Sequence, residues 1–126
     1  MGNNYKRPVD HGIFSMRLPI GGWVSILHRI TGVMLVTLLP LVFYLFQLSL
    51  LSLADFDRVV RFLHTYPVRM VLVALIWLFV QHFYSGVRHL LLDIDVGIAR
   101  KAGHSSARWV LGASLATTLM FAFLLL

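Results

Sequence analysis

The sequence predicts an all-α integral membrane protein with three transmembrane helices. Three observations predict it. The chain of 126 residues is 59% hydrophobic and only 13% charged, with a mean hydropathy of +0.82, more apolar surface than a soluble domain of this size can hide. Three stretches without a formal charge have the length of a bilayer core. These stretches are continuous, whereas barrel strands would alternate polar and apolar over segments of about ten residues.

The elements follow in order. Residues 1–22 form a polar lead-in punctuated by Pro8, Pro19 and the pair Gly21-Gly22. It is not read as a secretory signal, because the apolar run behind it is too long and no small-residue cleavage site precedes a mature domain. Ile30 to Ala54 is a run of 25 uncharged residues, and Met70 to Val87 and Trp109 to Leu126 are runs of 18 each. A spanning helix needs about 20 apolar residues at 1.5 Å each. With flanking residues counted, helices are expected over about 23–53, 67–90 and 107–126, within one membrane-anchor domain. Pro40 should kink the first, and membrane helices tolerate this because neighbours satisfy the freed carbonyl. Ser114, Thr117 and Thr118 in the third are read as packing residues. No internal repeat stands out.

The net charge is +6. Because the bases flank apolar runs, they are read as topology signals and not as a nucleic-acid surface. Lys6, Arg7, Arg17, Arg29, Arg88, Arg100, Lys101 and Arg108 fall on one side and Arg58, Arg61 and Arg69 on the other. Eight against three puts the N-terminus in the cytoplasm, or the matrix of a mitochondrion, and turns the loop with Asp55, Asp57 and His64 outward. The start of the first helix and the end of the second then share the inner face. There is no cysteine and no glutamate, which excludes disulfides, thiolate metal sites and a cysteine nucleophile, and leaves little for carboxylate-pair chemistry.

Two polar clusters collect at that inner face. In "SILHRITG", Ser25 to Gly32, spacings of three and four place Ser25, His28 and Arg29 on one side of a helix. Arg29 abuts the apolar run, so it either snorkels to headgroups or faces an interior or a ligand. In "HFYSGVRHLLLD", His82 to Asp93, His82 lies about 9 Å deeper than Arg88, among Phe79, Phe83 and Tyr84. An imidazole there needs a partner, either a neighbouring helix or a metal. Gly86 shares its face and removes a side chain where a flat ring could lie. His89 is seven residues on. A porphyrin fits this pattern, with iron on His82 and propionates at a basic rim of His28, Arg29, Arg88 and His89. One well-buried histidine supplies one axial ligand, so a second would come from another subunit.

The joint pattern S-x-x-H-R-x-[ST]-G followed by H-x-x-x-G-x-R-H-x-x-x-D, with "RPV" at Arg7 to Val9, resembles the cytochrome b membrane-anchor family of succinate dehydrogenase, respiratory complex II. The resemblance spans most of the chain, with "DHGIFSMRLPIGG" departing from the pattern. It implies a helical bundle completed by a second anchor subunit, carrying an iron–sulfur subunit and a flavoprotein that oxidises succinate. It implies haem b shared between the anchors, with His82 as one axial ligand of the iron. It implies ubiquinone reduction near Ser25 and Arg29, and haem propionates near His28, Arg29, Arg88 and His89. The chain itself is expected to bring no catalytic nucleophile. A bacterial inner membrane is expected from the short chain without a transit-like leader; a mitochondrial inner membrane also fits. A fumarate reductase anchor and a haem-free structural anchor are the alternatives. A transporter or channel would need polar groups through the full depth of the bilayer, and here they gather at one face.

Overall fold

A computed structural model describes residues 18–126; most of the expected inner-face segment, with Lys6, Arg7, Pro8 and Arg17, lies outside the described residues. Four helices follow one another: α1 (Ile20–Ser49), α2 (Leu53–Leu63), α3 (Tyr66–Asp93) and α4 (Arg100–Leu125). No strand occurs among the described residues. Three helices, α1, α3 and α4, are long and apolar enough to cross a membrane. α3 is central, packed on α1 and on α4, while α1 also touches α4 and α2.

Each boundary has a local cause. α1 runs unbroken through Pro40 and ends at Ser49, short of the expected 53, because a fourth helix begins at once. Ser52 caps α2: its Oγ accepts from the Asp55 amide at 3.1 Å and donates to Asp55 Oδ2 at 2.6 Å. The serine is followed three residues later by an acid, the spacing of a helix-start signal, and it sits at the end of the uncharged run. α2 is strongly amphipathic. It buries Val59, keeps Arg58 beside Asp55 at 3.3 Å, and hands over to α3 at a turn where Arg69 donates to His64 Nδ1 at 2.8 Å.

α3 stops in a Schellman turn. The Val96 amide donates to the Leu91 carbonyl at 2.9 Å and the Asp95 amide to the Leu92 carbonyl at 3.1 Å. Asp95 takes the left-handed conformation with φ 62°, a region aspartate tolerates better than most residues. Gly97 follows with φ 80°. α4 therefore begins at Arg100, ahead of the expected 107, and Arg100, Lys101, His104 and Arg108 lie on its first turns.

Little of this surface is covered. In the most apolar window of α1 only 6% of residues are buried, against 22% in α3 and 17% in α4. The buried apolar core is small: Val24, Ala107 and Val110, with Ile20, Tyr84 and Leu111 against them. It sits at the end of the bundle where α1 starts and α4 starts. Helices apolar on all sides present their remaining faces to lipid or to other helices.

Candidate functional site: an imidazole ladder between α1 and α3

The two faces of α3 carry different chemistry. Gln81, Ser85 and Arg88 recur at spacings of four and three and face α4. Gln81 Nε2 donates to Ser85 Oγ at 3.0 Å, and Ser114 Oγ of α4 donates to Gln81 Oε1 at 2.5 Å. Tyr84 and Thr117 hydroxyls meet at 3.2 Å. Ser114 and Thr117 thus serve packing, as expected. Arg88 is 8% exposed; its Nε donates to Ser106 Oγ at 3.1 Å and its Nη2 to the Gly103 carbonyl at 3.3 Å. A Cβ at Gly21 would come within 3.2 Å of that Nη2. Arg88, expected from sequence at the rim, ties α3 to the start of α4 and lies close against Gly21 of α1.

His82, Gly86 and His89 occupy the other face, against α1. The His82 and His28 rings stack with centroids 4.2 Å apart and planes 9° from parallel. His28 meets His89 at 5.1 Å and 53°. Three imidazoles form a ladder from the interior of the span toward the end where α1 starts and α3 stops, and Arg29 is exposed one residue beyond His28. Ser25 is half-buried on the same helix. Among the described residues neither Ser25 nor Arg29 has a side-chain hydrogen bond.

The ladder rests on two glycines. A Cβ at Gly32 would lie 2.9 Å from His82 Cε1, and a Cβ at Gly86 would lie 3.3 Å from His28 Nε2. Each histidine therefore sits where the opposite helix lacks a side chain. The expectation that Gly86 clears room for a flat cofactor is corrected here: the His28 imidazole fills that space. The pairing is reciprocal, because "HRITG" and "HFYSG" share His-x-x-x-Gly and their helices run in opposite directions. Gly32 and Thr31 were not assigned to the site from sequence. The duplicated spacing was the available signal, and it has meaning only once the two helices are known to face each other.

The tautomer of His82 follows from its partner. Its Nδ1 lies 3.0 Å from the His28 carbonyl oxygen, which can only accept. Nδ1 is therefore the donor in this contact, and in the tautomer that makes it Nε2 is the nitrogen that can bind a metal. This is the arrangement of a metal-binding imidazole whose other nitrogen is held by backbone. His28 cannot be the opposite axial ligand, because it lies face to face with His82 and not across a metal from it. No cluster of three or more His, Cys, Asp or Glu able to hold a metal ion occurs among the described residues. The donor set fits a group needing a single protein nitrogen from this chain, as a haem shared with another subunit does.

Comparison with known proteins agrees with this architecture. The family described as succinate dehydrogenase/fumarate reductase transmembrane subunit matches residues 3–121. A protein from Rickettsia felis named succinate dehydrogenase cytochrome b556 subunit is 30% identical over 120 residues, covering 91% of this chain and 90% of the relative. A Coxiella burnetii protein of the same name is 30% identical over 105 residues, covering 82% and 84%. One from Paracoccus denitrificans is 28% identical over 116 residues, covering 90% and 87%. With its three membrane-length helices, the chain belongs to the family of succinate dehydrogenase/fumarate reductase transmembrane subunits.

Proposed function

We propose that this chain is the haem b-binding anchor of a succinate dehydrogenase, joined to a second anchor subunit, an iron–sulfur subunit and a flavoprotein. The observation that carries it is the setting of His82: Nδ1 lies 3.0 Å from the His28 backbone carbonyl, within an apolar span. The relatives' name, cytochrome b556 subunit, supports the same reading. His82 Nε2 would hold the iron together with a histidine of the second anchor, and His28, His89 and Arg29 would hold the propionates. Arg88, engaged by α4, adds its positive charge to that rim. The haem supplies one-electron storage and transfer.

Ubiquinone is the substrate at Ser25 and Arg29. Reduction takes two electrons and two protons, and the quinone oxygens gain negative charge on the way. The Ser25 hydroxyl and the Arg29 guanidinium donate to those oxygens in a site of low dielectric, where such donors count for most. A position at the inner face gives protons a short path from water and keeps the quinone close to the peripheral iron–sulfur subunit. The setting is a bacterial inner membrane with the N-terminus inside. The family description includes fumarate reductases, and the relatives' names favour the succinate-oxidising direction.

The test is a dithionite-reduced minus oxidised absorbance spectrum of the detergent-purified complex. A b-type haem signal together with flavoprotein and iron–sulfur subunits is expected. Partners without haem would leave a haem-free anchor, and neither haem nor partners in an intact preparation would refute the proposal.

A further inference from the structure

α1 holds His82 at three points, of which the His28 carbonyl is the first. The second is Thr31, which is 1% exposed. Its hydroxyl donates to the Leu27 carbonyl at 2.8 Å and to the His28 carbonyl at 3.0 Å. With its proton directed to the backbone, the Thr31 oxygen offers a lone pair to His82 Nδ1–H, 3.3 Å away. The third is Gly32. A Cβ there would stand 2.9 Å from His82 Cε1 and 3.4 Å from Nδ1. The first distance is closer than carbon atoms approach without something shifting, and the obstructing atoms belong to a ring pinned by its own hydrogen bonds.

We propose that Thr31 and Gly32 are positioning residues for the iron ligand: Thr31 polarises Nδ1–H and Gly32 leaves the imidazole its seat, so that Nε2 is presented at one depth and angle. This rests on His82 being an axial ligand. An acceptor on the far nitrogen makes a metal-bound imidazole a stronger donor and favours the oxidised metal. Removing the Thr31 acceptor therefore raises the reduction potential of the haem. Adding a methyl at Gly32 tilts or displaces the ring and changes its ligand field.

The experiment uses the assembled complex, with haem content, haem midpoint potential from a redox titration, and the electron paramagnetic resonance spectrum of the ferric haem. Thr31→Val should keep its haem and shift the midpoint upward, and Thr31→Ser, which restores the hydroxyl, should return it to the wild-type value. Gly32→Ala should lower haem content or move the ferric signal. A Thr31→Val midpoint equal to wild type, or a Thr31→Ser midpoint shifted as far as that of Thr31→Val, overturns the role of the hydroxyl. A Gly32→Ala complex with wild-type haem content and ferric signal overturns the role of the glycine. If Thr31→Val does not assemble, Thr31→Ser and Gly32→Ala decide the matter by the same signals. His82→Ala separates the two levels: haem retained there sinks the ligand assignment and this inference with it, whereas haem lost there with Thr31→Val unshifted sinks only the positioning role of Thr31.

Discussion

The two seams of α3 are built from similar residue types and do opposite things. Toward α4, donors and acceptors meet inside the chain: Gln81 with Ser85 and Ser114, Tyr84 with Thr117, Arg88 with Ser106 and Gly103. Toward α1, His82 Nδ1 meets the His28 carbonyl and the Thr31 hydroxyl, and among the described residues Ser25 and Arg29 have no side-chain hydrogen bond. A closed polar seam in a membrane is glue. An open one is a place where something else belongs. The difference teaches that polarity alone does not mark a site; incompleteness does.

Substitutions on either side can break that comparison. The largest effect is expected for His82→Ala, which should abolish the b-type haem signal of the purified complex, whereas Gln81→Leu one residue away should leave it intact. If both lose haem equally, the seams are not separable. Arg29→Ala comes next. Loss of a charged donor to a developing oxyanion costs about 10²–10³ in rate, so quinone reduction should fall on that order while succinate oxidation by an artificial dye at the flavoprotein is unchanged. A loss of both activities would point to failed assembly. Ser25→Ala removes a neutral donor worth about 1 kcal/mol, so quinone reduction should slow by several-fold, again with the dye activity preserved.

The closed seam should answer in stability alone. Gln81→Leu leaves the Ser85 and Ser114 hydroxyls to find new partners, and interhelical hydrogen bonds in membranes are worth about 0.6 kcal/mol on average and up to about 1.7. A lower unfolding temperature in detergent with an unaltered haem spectrum is the expected pair of results. Ser52→Ala, outside both seams, should cost about 1 kcal/mol through its lost cap. It should fray α2 by hydrogen exchange and touch neither haem nor quinone reduction.

Much of this was legible in the residues, and the gaps have physical causes. Hydropathy is a sum over a window, so the three spans stood out. The same averaging hid α2, whose first residues continue the uncharged run; the local signal was the Ser52–Asp55 cap. Helical spacing grouped Ser25 with His28 and Arg29, and it put His82, Gly86 and His89 on one face. It could not say which face of α3 meets which neighbour. The contacts of Arg88 with Ser106 and Gly103 were therefore out of reach, and so was the seating of His28 over Gly86. Thr31 and Gly32 were invisible for the same reason: their importance lies wholly in the register between α1 and α3, and register is not a property of either helix alone.

The reciprocal seating of the two histidines works like a vernier. Sliding α1 past α3 by one helical turn, about 5.4 Å, would unseat His82 from Gly32 and His28 from Gly86 together, so no intermediate register satisfies one pair and sacrifices the other. The depth at which His82 sits in the bilayer is therefore measured off α1, from the position of Gly32 relative to Arg29, and not from the length of α3. Drift in the loops or lengthening of α3 at its N-terminal end would leave that depth untouched, whereas inserting a single residue between Arg29 and Gly32 would reset it.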